Sequence, residues 1–184
     1  MLAPSLSYEK VITNLISEYS RRGDVVYDPL AGYGIHMHCA KKLGRDHVGV
    51  DIDEKFVNKK LNIQHGDSSK TRFPDGAFDF CITSFNYFGM PTSDSPRAAA
   101  NLKDFNQYKK MVNNIVSETY RVLSPGAYFV NITAVDYIEN GILLDKIFCN
   151  YFDRVGFKRV KSKDDMLVTK MPKELYVMLY RKLK

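Results

Sequence analysis

Asp28-Pro29-Leu30-Ala31-Gly32-Tyr33-Gly34 decides the fold of this chain. It follows a short apolar run, Val25-Val26-Tyr27, that predicts a strand, and it precedes a run over 35–43 that predicts a helix. A strand that ends in an acid and turns on glycines brings backbone N–H groups beside a ligand, because no Cβ blocks the approach. After the helix, His47-Val48-Gly49-Val50 predicts a second strand, which ends in Asp51. An acid at the tip of the second strand of a βαβ unit is placed to accept both hydroxyls of a ribose. Together these features describe a site for a nucleoside-containing cofactor.

The pattern extends outward on both sides. Upstream, Tyr8–Tyr19 carries Val11, Ile12, Leu15 and Ile16 at helical spacing, and Arg21-Arg22-Gly23-Asp24 leads from that helix into the first strand. Downstream, Asp53 is expected to cap a helix over 54–60. Leu61-Asn62-Ile63-Gln64-His65 alternates and stops at Gly66-Asp67, and Phe78–Thr83 reads as a buried strand. Residues 90–102, with Pro91 and Pro96, read as a loop. A helix over 104–123 is expected to end at Ser124-Pro125-Gly126. A strand over 127–132, a helix over 141–155 and a strand over 174–181 complete the chain, with 157–160 and 175–180 pairing antiparallel at the edge. Strands alternating with helices imply a mostly parallel sheet covered on both faces. No repeat, low-complexity tract or second domain is visible.

The sequence has 184 residues, of which 45% are hydrophobic and 26% charged, values that suit one soluble domain with a substantial core. No apolar run approaches the roughly 20 residues that span a bilayer, so no membrane role is expected. Met1-Leu2-Ala3-Pro4-Ser5 lacks the basic flank and apolar centre of a secretion signal. Cys39, Cys81 and Cys149 are widely spaced among apolar residues, so reduced thiols in a cytoplasmic or nucleoid-associated protein are expected. The formal net charge of +6 favours an anionic partner, with nucleic acid first. His36, His38 and Cys39 invite a metal reading, but helical residues two apart point to different sides, and no metal is expected.

A nicotinamide fold would show a third glycine where Met37 stands. The loop instead resembles the D-P-F-A-G-S-G loop of S-adenosylmethionine-dependent methyltransferases that modify amino groups of DNA bases. Lys41-Lys42-Leu43-Gly44-Arg45-Asp46-His47-Val48-Gly49-Val50-Asp51-Ile52-Asp53 resembles that family's A-K-K-L-G-R-x-x-I-G-I-E-I-D closely. Pro4-Ser5, the helix to Tyr19 and Gly23-Asp24 resemble its H-P-T-Q-K-P segment, with Ala3 in place of the histidine and Lys-Pro absent. The resemblance implies a Rossmann-like class I methyltransferase: an α/β fold, mostly parallel and seven-stranded, with an antiparallel edge strand and helices on both faces. It implies S-adenosylmethionine as cofactor and S-adenosylhomocysteine as product. Asp28, Ala31, Gly32 and Gly34, with Pro29 in the same loop, are then expected along the methionine part of the cofactor. Ser5 is expected on its carboxylate, Asp51 on the ribose hydroxyls, Ile52 against the adenine, and Asp67 on the adenine amino group with Ser68 adjacent. A cationic sulfonium and a diol both favour nearby carboxylates, and an adenine needs an apolar wall and an acceptor.

The fourth strand ends Thr83-Ser84-Phe85-Asn86-Tyr87-Phe88-Gly89, where the resembled family has T-S-P-P-Y-F-G. There the small polar side chain and a following carbonyl accept from the target amino group, and the aromatic ring stacks on a flipped-out base. The resemblance makes Ser84, Phe85, Asn86 and Tyr87 the candidate catalytic residues. Phe85 and Asn86 replace both prolines, and Asn86 supplies an amide acceptor. Three readings stay open: an active site with an altered motif, a cofactor-binding but silent subunit, and an RNA-base methyltransferase. For Phe85, core packing weighs as much as base stacking. The expected substrate is an exocyclic amino nitrogen of cytosine or adenine, in DNA first. Residues 1–184 are read as one methyltransferase domain without a sizeable recognition domain, which suggests a homodimer or a separate recognition subunit. Arg97 and Lys103 near the 90–102 loop, and Lys158-Arg159-Val160-Lys161-Ser162-Lys163, are the basic stretches available to phosphates.

Overall fold

The apolar run before the opening loop forms β1 (Val25–Asp28), whose last three residues are buried. The structure, a computed structural model, describes residues 7–85, 88, 102, 104–134, 138–139, 142–160, 166–168 and 175–183. Further strands are β2 (Asp46–Asp51), β3 (Ile63–His65), β4 (Phe78–Thr83), β5 (Leu123–Ala134), β6 (Ile138–Glu139), β7 (Ile142–Leu143), β8 (Phe157–Arg159), β9 (Met166–Val168) and β10 (Leu175–Lys182). Strands β1 to β5 are mutually parallel, and the main sheet runs β3-β2-β1-β4-β5-β10-β8. β10 is antiparallel to β5, β8 and β9. The antiparallel strand thus sits one place in from the edge, and β9 adds a short eighth strand to the seven expected.

Strand alternation sorts side chains to two cores. Val26, Phe80, Ile82 and Val130 face α1 (Tyr8–Tyr19) and α2 (Ile35–Lys42), through Ile12, Ile16, Met37 and Ala40. Tyr27, Cys81, Phe129 and Tyr180 face α3 (Phe105–Val122) and α4 (Leu144–Val155), through Tyr108, Val112, Phe148 and Phe152. The bounds of α1 coincide with the helical spacing, because Ser7 caps it and accepts from the Lys10 N–H at 3.3 Å.

Three expectations change. Residues 54–60 form two 3₁₀ turns, Glu54–Phe56 and Lys59–Leu61, rather than one helix. Asp53 and Asn58 each cap their own turn, so hydrogen-bonded side chains restart the backbone every few residues, and Asn62 leaves in the left-handed region at φ 47. Ser124-Pro125-Gly126 does not separate α3 from a later strand: β5 begins at Leu123. Leu123 pairs with Phe78 and Tyr128 with Phe80, so the intervening residues bulge from the ladder. Finally, Ile142–Leu143 is a short strand pairing with β6, and α4 starts only at Leu144.

No described helix is long and apolar enough to cross a membrane. Cys39 and Cys81 are buried and Cys149 half-buried, all as free thiols.

Candidate functional site

The carboxyl ends of β1, β2, β3 and β4 surround a cavity of about 470 Å³, closed on the far side by α3. Such a volume is in the range of small-molecule sites, and the ends of parallel strands are where α/β sheets bind ligands. Ala31 and Gly32 form one wall, with Asp51, Ile52, Asp67 and Ser68 beside them and Ser84 and Phe85 at the other end.

Gly32 has φ +49, and its N–H donates to Asp51 Oδ2 at 2.8 Å. Asp51 Oδ1 accepts from the Asp53 N–H at 2.9 Å, and the Ala31 N–H donates to the Val50 carbonyl at 3.0 Å. The turn after β1 is therefore fastened to the tip of β2. Burial raises the Asp51 pKa above the ordinary 3.8, against the two N–H donors that favour its charge. Each of its oxygens keeps a lone pair for another donor.

Asp28 takes a different place. It is fully buried and lies outside the cavity lining, as do Pro29 and Gly34. Its Oδ1 accepts from the Leu30 N–H at 3.0 Å and the Thr83 hydroxyl at 2.8 Å, and its Oδ2 lies 2.6 Å from His36 Nδ1. Pro29 contributes its carbonyl, which accepts from the Ser68 hydroxyl and joins the loops after β1 and β3. Gly34 serves packing: at φ +82, a Cβ there would stand 2.6 Å from Ile63 Cδ1 and 2.9 Å from Leu61 Cδ1.

Asp67 is exposed and accepts from the Ser69 N–H and hydroxyl through one oxygen. Ser84 is half-buried, with Oγ 2.8 Å from the Tyr8 hydroxyl. Phe85 is buried, its ring stacked on Phe148 at 5.4 Å between centroids, and its N–H donates to Asn131 Oδ1 at 3.3 Å. Ser5, Asn86, Tyr87 and Gly89, residues 90–101, Lys103 and Lys161-Ser162-Lys163 lie outside the described residues.

Sequence reasoning passed over several lining residues. Met111 and Ile115 supply an apolar wall, with Gln107, Lys110 and Asn114 at the exposed rim. Their i, i+3/i+4 spacing on α3 was a readable signal of one shared face. Tyr8 and His36 carried no such signal, since only the packing of α1 on α2 brings them together. Tyr33, 88% exposed, rests edge-on against Phe56 at the lip. Among the described residues no cluster of His, Cys, Asp or Glu could hold a metal.

The architecture is shared with S-adenosylmethionine-dependent methyltransferases. A crystal structure from Methanosarcina mazei has 18% identity and a TM-score of 0.63, with 92% of this chain and 97% of that chain covered. A TehB-like one from Corynebacterium glutamicum has 18% identity and a TM-score of 0.65, with coverage of 93% and 86%. One from Aquifex aeolicus has 16% identity and a TM-score of 0.63, with coverage of 94% and 89%. The fold is therefore the Rossmann-like fold of that class. Within it, residues 9–62, from α1 to the entry of β3, match the family model described as DNA methylase, of N6/N4 type. No curated protein sequence matches the chain.

Proposed function

We propose that this protein binds S-adenosylmethionine and transfers its methyl group to an exocyclic amino nitrogen of cytosine or adenine, in DNA first. The observation that carries the reading is that one cavity joins the Gly32–Asp51 turn at one end to Ser84 at the other. The match of residues 9–62 to a DNA-methylase model supports the choice of polymer and target group.

When bound, the cofactor would supply an electrophilic methyl group on a sulfonium. Asp51 would hold the ribose by accepting hydrogen bonds from its hydroxyls through the remaining lone pairs. Ile52, Phe56, Met111 and Ile115 supply the apolar lining an adenine requires, and Asp67 offers an acceptor to its amino group. Backbone at Ala31 and Gly32 leaves room for the methionine part. Ser84 accepts an N–H of the target amine, so the nitrogen lone pair turns toward the methyl carbon. The chemistry the cofactor would supply is a methyl transfer that forms a C–N bond, breaks the C–S bond and leaves the amine proton to solvent.

Proline rigidity is absent at Phe85, but another restraint replaces it. The Phe85 N–H, which a proline would lack, is held by the fully buried Asn131, and the ring is fixed against α4. This anchoring favours the active reading over the silent one. Asn86 and Tyr87 keep the roles the family resemblance gives them, as carbonyl or amide acceptor and as stacking ring. A homodimer or a separate subunit would provide sequence recognition for this one methyltransferase unit, and a cytoplasmic location fits the substrate.

Incubation with tritiated S-adenosylmethionine and mixed DNA or RNA tests the proposal. Label in an amino-methylated base of DNA is expected. Label in RNA alone would move the substrate class, and binding without transfer to either polymer would establish the silent subunit.

A further inference from the structure

Ser84 is the end of a chain of four polar side chains that begins beneath the loop. Asp28 Oδ2 lies 2.6 Å from His36 Nδ1, His36 Nε2 lies 3.4 Å from the Tyr8 hydroxyl, and that hydroxyl lies 2.8 Å from Ser84 Oγ. Asp28 and His36 are buried, and α1, α2 and the tips of β1 and β4 each contribute a member. The first link is consistent with one run of protons along the chain. Asp28 already accepts from Leu30 and Thr83 on its other oxygen, so it faces His36 as an acceptor and the ring carries its proton on Nδ1. With a proton on Nδ1 alone, Nε2 would accept from the Tyr8 hydroxyl, and the Tyr8 oxygen would accept from the Ser84 hydroxyl.

We propose that this chain fixes the Ser84 proton away from the cavity, so that Ser84 offers only lone pairs to the methyl acceptor. A free serine hydroxyl can donate or accept as its partner requires. A committed one receives an amino group but repels a ring nitrogen or a carbonyl oxygen, whose own lone pair would meet that of Ser84. The chain is thus a specificity device for amines over ring nitrogens. Tyr8 and His36 are its positioning residues: both line the cavity, and in this role they act through Ser84. The inference rests on the proposed transfer to nucleobases and adds what selects the nitrogen.

Two measurements test it. The first is a long-range ¹H–¹⁵N correlation spectrum of the wild-type protein labelled in histidine, with His36 assigned by its loss in His36→Gln. Protonation on Nδ1 and an unprotonated Nε2 are expected; a proton on Nε2 would reverse the chain and overturn the proposal. The second uses Tyr8→Phe, checked for an unchanged melting temperature and S-adenosylhomocysteine affinity. Its kcat is expected to fall about tenfold, the equivalent of one lost hydrogen bond. Mass spectrometry of the methylated bases should also show a ring-nitrogen product that wild type does not make. Wild-type rate and product distribution in Tyr8→Phe would sink the proposal. If wild type methylates no nucleic acid, the proposed function fails, and the ring tautomer still decides whether the chain runs as described.

Discussion

Asp28 has no exposed surface, and three donors converge on it: the Leu30 N–H, the Thr83 hydroxyl and His36. Removing the carboxylate orphans all three in a buried setting. Asp28→Ala is expected to destabilise the ligand-free protein by about 2–4 kcal/mol, read from urea denaturation. A residue that only touched cofactor would leave that stability unchanged. Asp51 makes a pH-dependent prediction. Burial raises its pKa above the ordinary 3.8, so the folded protein holds this proton more tightly than the unfolded chain. Its contribution to stability is full at low pH and is lost as pH rises through the raised value. The ribose diol needs the ionised form, so S-adenosylhomocysteine affinity should fall as pH drops through that same raised value. Calorimetry from neutral pH to about pH 4 reads this; an affinity constant across the range would contradict it. The position of Asp51, at the tip of β2 and on the cavity wall, was legible in the sequence because an acid closes an apolar strand there. The part played by Asp28 was not, because its partners Thr83 and His36 stand 55 and 8 residues away in sequence and meet it only in the folded chain.

At the scale of elements, α3 fastens the loop that follows β3. Glu118 accepts from the Thr71 N–H at 2.8 Å, and Arg121 bridges Glu118, the Phe73 carbonyl and Asp75. Burial pushes the Glu118 pKa up, but Arg121 and Thr71 outweigh it, and the net shift is downward from 4.5. A lowered acid stabilises the fold above its unfolded pKa, and the gain is lost as pH falls through the folded value. Glu118→Gln should therefore cost about 1 kcal/mol at neutral pH, a modest figure because Arg121 is partly solvated. The difference from wild type should shrink as pH falls below the ordinary glutamate value and vanish below the lowered, folded one; a constant difference in urea midpoint would refute the assignment. Gly34→Ala tests the seat of α2 on β3. The added Cβ meets Ile63 at 2.6 Å in a left-handed residue, so a loss of about 2–3 kcal/mol is expected, against near-neutrality if the turn were slack. Helix α1 and strand β4 were legible to the residue because the apolar pattern of each runs unbroken between polar flanks. The 3₁₀ turns after β2 and the bulge in β5 were not. Asn58 and Ser124 compete with regular backbone through contacts that periodicity does not register: Asn58 accepts from Lys60 and Leu61, and Ser124 donates to the Gly76 carbonyl.

For the whole molecule, the strand order places the turn after β1 beside the tips of β2 and β4 and brings α3 across them. Alternation of strands and helices revealed that layout, since each parallel crossover needs a covering helix. The far wall of the cavity depends on how α3 docks, and sequence spacing showed only which of its residues share a face. The formal charge of +6 belongs to this scale too: nucleic-acid affinity should weaken steeply with added salt, and a salt-independent affinity would argue against phosphate contacts. The most direct test of the central claim is calorimetric titration of S-adenosylhomocysteine into wild type and Asp51→Asn, with NADH as control. Saturable binding by wild type, at least about tenfold weaker binding by the variant and no heat with NADH are expected. No binding by wild type, or equal binding by both proteins, would contradict a nucleoside seated on Asp51.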